Sequence, residues 1–128
     1  MNEEPKDRSA YSVSRSNPPM MLDIRATAGE AIALPYSYLE MVQFNPSVAL
    51  VLTFTSCEVR IEGQRLFSVY EAIVQHTVTY IQENDAKYEK AHDKLPFIER
   101  IEIKAVSEGI KLIVKGFEPE REPLDEYP

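Results

Sequence analysis

Between Val48 and Ile61 the chain alternates apolar with polar or small residues more regularly than anywhere else. Val48, Leu50, Leu52 and Phe54 fall on one face of an extended segment, and Cys57, Val59 and Ile61 on one face of the next. A period of two marks half-buried strands, because successive side chains point to opposite faces. With Thr55-Ser56 as the turn, Phe54 opposes Cys57, Leu52 opposes Val59 and Leu50 opposes Ile61. One register therefore gathers every apolar residue of the hairpin on one side. The other face of the second strand reads Glu58, Arg60, Glu62 and belongs in solvent. The other face of the first reads Ala49, Val51, Thr53, so this strand is expected to be covered on both sides.

A similar alternation pairs Leu22, Ile24 and Ala26 with Ile32 and Leu34 around Thr27-Ala28-Gly29-Glu30, which predicts a second hairpin. Pro35 interrupts it, Tyr36 to Phe44 reads as a less regular strand, and Asn45-Pro46-Ser47 is a turn. After Gly63 the period changes. From about Arg65 to Glu83, Leu66, Val69, Tyr70, Ile73, Val74, Thr77, Tyr80 and Ile81 share about half of a helical circumference. That pattern predicts one amphipathic helix ending near Asn84-Asp85. A last hairpin is expected from Ile101, Ile103 and Ala105, turning at Ser107-Glu108-Gly109 and returning through Ile110, Leu112 and Val114.

The predicted order is five strands, one helix and two strands. It describes an α+β fold with a curled, mostly antiparallel sheet of six to seven strands packed on one amphipathic helix. A helix is about 10 Å wide and strands lie about 4.8 Å apart, so one helix covers only part of such a sheet. The sheet must curl, split into two layers, or be covered by a second subunit. Residues 1–19, rich in Ser, Asn and Pro, read as a disordered tail, residues 20–117 as a single domain, and residues 118–128 as an acidic Pro-rich tail. Removing both tails is expected to leave the melting temperature nearly unchanged.

Composition narrows function by exclusion. Among 128 residues the net charge is −7, which disfavours nucleic-acid backbones and anionic membrane surfaces. The single Cys57, with no basic-then-apolar leader and no spanning apolar run, suits a cytoplasmic protein. His76 and His92 lack a second histidine or a cysteine at metal-ligand spacing, so no metal is expected. Gly29, Gly63, Gly109 and Gly116 are too far apart to cradle a phosphate, and no cofactor is expected. Acidic pairs such as Glu99 and Glu102 read as solvated faces rather than catalytic pairs. Three features remain as a candidate interaction surface. They are the tyrosines Tyr36 and Tyr38 beside Pro35, the second face of the central strand at Val51, and a basic stripe of Arg100, Lys104, Lys111 and Lys115. These point to a non-enzymatic protein-interaction or assembly module, self-associating or binding another protein. The alternative is a domain for a small apolar or amphipathic ligand held between sheet and helix.

Overall fold

A computed structural model describes residues 9–85 and 94–106 of the chain. Its elements are β1 (Tyr11–Val13), β2 (Met21–Arg25), β3 (Ala31–Pro35), β4 (Leu39–Asn45), β5 (Ala49–Phe54), β6 (Cys57–Gln64), α1 (Phe67–Val74), β7 (Val78–Gln82) and β8 (Phe97–Ala105). A short 3-10 turn at Tyr36–Tyr38 joins β3 to β4. The fold is α+β, but the strands form two open four-stranded sheets, ordered β1-β7-β2-β3 and β4-β5-β6-β8. All neighbours are antiparallel except β2 and β7.

The register of the central hairpin is the one its alternation dictates, with Leu50 opposite Ile61 and Leu52 opposite Val59. In the second hairpin Leu22 faces Leu34 and Ile24 faces Ile32. Inner residues of both sheets, including Leu22 and Ile24 from one and Leu52, Val59 and Ile103 from the other, join Val69 and Ile73 of α1 in one contiguous core. Division into two layers thus covers the apolar faces that a single helix cannot.

Three expectations change. Part of the stretch read as an N-terminal tail is β1, held to β7 by Gln82 N–H donating to Ala10 O at 2.9 Å and Ser14 N–H to Thr77 O at 2.8 Å, with Ala10 1% exposed. Edge pairing of this kind uses main-chain groups that composition does not reveal. The helix stops at Val74 because His76 adopts φ 61°. The N–H of Thr77 then reaches Ala72 O at 3.0 Å and that of His76 reaches Ile73 O at 2.9 Å. These two bonds make a Schellman cap whose left-handed residue is histidine in place of the usual glycine. Beyond it Val78, Thr79, Tyr80 and Ile81 are β-branched or aromatic and become β7. Asn84, expected to end a helix, is instead buried, its amide oxygen accepting Ile98 N–H at 2.8 Å and its own N–H donating to Ile98 O at 2.7 Å. The returning strand expected at Ile110–Val114 and the acidic tail at 118–128 lie outside the described residues.

Candidate functional site

Among the described residues, those singled out in sequence do not lie together on one surface. Tyr36 is 4% exposed, donates its hydroxyl to Val78 O at 2.7 Å and stacks on His76 with ring centroids 4.6 Å apart. Burial drives its phenol pKa far above the ordinary tyrosine value, against the smaller opposing effect of the Val78 bond. It ties the β3–β4 junction to the start of β7 and to the helix end. Tyr38, by contrast, is exposed at the entrance to β4.

Val51 is half-buried on the outer face of the second sheet, in a cleft it shares with Gln43 and Arg60. These long polar neighbours belong to the same chain, so Val51 is covered in part without a partner. Arg100 and Lys104 lie on the same outer face. The register places Glu58 opposite Lys104, Arg60 opposite Glu102, and Glu62 opposite Arg100, a checkerboard of alternating sign. Arg60 also pairs along its strand with Glu62 at 2.8 Å, and Arg100 with Glu102. Both guanidinium pKa values are raised chiefly by those hydrogen bonds. The described half of the basic stripe is therefore charge-matched. Lys111 and Lys115, like His92, lie outside the described residues.

What the fold does assemble is an apolar surface where β4 runs beside α1. Phe67, Tyr70 and Val74 are spaced i, i+3, i+7 and so share one helical face. Phe44 of β4 meets this face, its ring centroid 5.5 Å from Tyr70 and 6.3 Å from Phe67, while Phe67 and Tyr70 are 6.0 Å apart. Aromatic pairs at these separations attract beyond their area burial. The surface stays open nonetheless. On the helix side Phe67 is 56% exposed, Val48 54% and Val74 51%, while Met41, 49% exposed, lies on the other face of β4 at its edge.

Two clefts continue it. One of about 220 Å³ is lined by Phe44, Pro46, Val48, Gly63 and Phe67. The other, about 280 Å³, runs along the β4 edge between Met41 and Val42 on the strand, Val74 in the last turn of the helix and His76 just beyond it. Sequence reasoning missed these residues because it assigned Val74 to the buried arc and gave Phe67 no role. A usable signal was present: an apolar arc of half the circumference is wider than the roughly 100° stripe one packing face requires.

Chemistry of other kinds finds little support among the described residues. No group of three or more His, Cys, Asp or Glu side chains converges there as a metal site would require. Cys57 is 1% exposed, and burial pushes its thiol pKa up against a weaker effect of a Ser56 hydrogen bond, which disfavours a reactive thiolate. Glu83 is occupied structurally, one carboxylate oxygen accepting from Thr27 N–H at 2.9 Å and Thr27 Oγ1 at 3.1 Å, the other from Ile101 N–H at 2.8 Å. No described helix is long and apolar enough to cross a membrane. Compared with protein-family models, curated proteins and solved structures, the chain finds no match in any of the three.

Proposed function

We propose that this chain is a non-enzymatic protein-interaction or assembly module of the cytoplasm, acting through the apolar surface between β4 and α1. The observation that carries the reading is the half-exposed set of Phe67, Val48 and Val74 around the Phe44–Phe67–Tyr70 rings. Scattered apolar side chains are ordinary on a protein surface, but a contiguous aromatic patch marks a place where another surface is to be buried. Phenylalanine, tyrosine and methionine are also the residues enriched in interface cores.

The alternative, a site for a small apolar ligand, draws on the 220 Å³ cleft at Phe44 and Phe67. Ligand pockets usually enclose about 300–1,000 Å³, so this cleft suits the side chain of a partner better than a free small molecule. Placing a photo-crosslinking residue at Phe67 or, as a control, at Glu58 on the outer charged face tests the reading in cells. A protein adduct from position 67 alone is expected. Equal labelling at both positions, or none at either, refutes it.

A further inference from the structure

We infer that the partner for this surface is a second copy of the same chain, joined edge to edge through β4 about a two-fold axis at Gln43. The inference rests on the interaction reading above and specifies its partner. It begins from the sheet edges, because an open edge offers unpaired main-chain donors and acceptors that proteins normally guard. β1 is three residues long with an irregular register, and β3 ends in Pro35. β8 has Ile98 engaged by Asn84 and Ile101 by Glu83. β4 differs from all three. It runs for seven residues, Leu39-Glu40-Met41-Val42-Gln43-Phe44-Asn45, without lysine or proline, and its one irregularity lies between Leu39 and Met41. No described strand lies on its outer side.

An antiparallel pairing of two β4 strands centred on Gln43 matches like face to like face. Val42 falls beside the partner's Phe44 on the core side, where both strands carry their apolar residues, and Met41 beside the partner's Asn45 on the outer side. Glu40, whose carboxylate accepts from Thr55 Oγ1 at 3.1 Å, falls beside the partner's Pro46, so no like charges meet. The same axis serves the helix. It lies perpendicular to the sheet, so both copies of α1 stand on one side of the joined sheet, with their Phe67, Tyr70 and Val74 stripes turned toward each other. The half-exposed Phe67, Val74 and Val48 with the partly buried Phe44 and Tyr70 offer roughly 300–400 Å² of apolar surface per copy. The β4 backbone, Met41 on the outer side and a polar rim would have to supply the rest of the ~800 Å² per partner of a standard specific interface. An isologous contact of this kind closes on itself and leaves no further β4 edge to propagate.

Sedimentation of the full chain from about 1 to 100 µM should show a shift from one to two copies, in the range typical of a micromolar complex. The double substitution Phe67→Glu with Val74→Glu changes only exposed side chains, so it should weaken association more than about tenfold while the thermal melt of the monomer persists. A second measurement does not depend on that variant folding well. Directly opposed residues of an antiparallel pair have Cα atoms about 4.5–5.5 Å apart, within disulfide reach, so Gln43→Cys should give a covalent dimer under mild oxidant while Glu58→Cys should not.

A dimer unaffected by the double substitution, or one whose Gln43→Cys form does not cross-link, overturns this interface. A chain monomeric at about 100 µM, with the crosslinker at position 67 capturing a protein of different mass, overturns the second copy but leaves the interaction reading standing. No adduct at all overturns both.

Discussion

Replacing Gly63 with alanine is the sharpest test of how the second sheet is built. The register between β6 and β8 shifts between Glu62 and Gly63, so Glu62 pairs with Arg100 but Gly63 pairs with Ile98. That irregularity brings the β8 backbone against the bare Cα of Gly63. A Cβ there would stand 2.0 Å from Phe97 O and 3.0 Å from both Ile98 Cα and Phe97 C. Ordinary contact is about 3.5 Å, so the strands must part by more than about 1 Å. β8 is poorly placed to yield, because Ile98 is held at both its N–H and its carbonyl by Asn84 and Ile101 is held by Glu83.

Overpacking that shifts a few side chains costs about 1–3 kcal/mol, and a displaced backbone adds to it, so Gly63→Ala should destabilise by about 3–4 kcal/mol. With a urea slope of about 1.5 kcal/mol/M, the midpoint of unfolding should fall by roughly 2 M. Gln64→Ala, one residue along and exposed, should change stability by less than about 0.5 kcal/mol. If Gly63→Ala unfolds within about 1 kcal/mol of wild type, the close approach of β8 is wrong.

Within α1, Ile73→Ala should cost about 2–5 kcal/mol because Ile73 is 0% exposed, whereas the exposed Gln75→Ala should cost less than about 0.5. Equal losses in denaturant titration would show the helix is rotated. Deleting residues 1–19 removes β1 and uncovers one edge of β7, so the melting temperature should drop by roughly 5–15 °C, and an unchanged melt would mean β1 contributes nothing. At alkaline pH the unfolded chain ionises Tyr36 near its ordinary value of about 10, whereas the fold keeps it neutral to higher pH. The unfolded state then binds fewer protons, so stability falls as pH rises above about 10. Tyr36→Phe should flatten that fall measurably, and identical slopes would remove Tyr36 as its source. His76→Val puts a β-branched residue at φ 61° and should destabilise by about 1–3 kcal/mol, while His76→Gly, which relieves the strain but loses the ring stacked on Tyr36, should stay within about 1 kcal/mol of wild type.

Local alternation was sufficient to locate both hairpins and to specify the pairs of the central one. Leu50 with Ile61 could be read from spacing, because a slip of one residue would turn every apolar side chain outward. For the second hairpin the spacing gave the strands, and the structure supplied the pair Leu22 with Leu34. The burial of Cys57, Ile101 and Ile103 followed from the same period. Elsewhere the local signal satisfied two structures at once. Thr77, Tyr80 and Ile81 fit helical spacing, yet Val78 to Ile81 also suit a strand, and the choice depended on whether His76 would adopt a left-handed backbone. Histidine does so far less readily than glycine, so the Schellman cap is sustained by its surroundings, among them the Tyr36 ring against His76.

Tertiary structure also decided that the strands divide into two sheets and that β7 lies between β1 and β2, since strands distant in sequence are joined by main-chain bonds indifferent to side-chain identity. The β4–α1 surface has the same origin. Phe44, Phe67 and Val74 each look like ordinary core residues along the chain. Only the short helix, docked through Val69 and Ile73, leaves its Phe67–Tyr70–Val74 face beside a strand edge that no other described strand pairs.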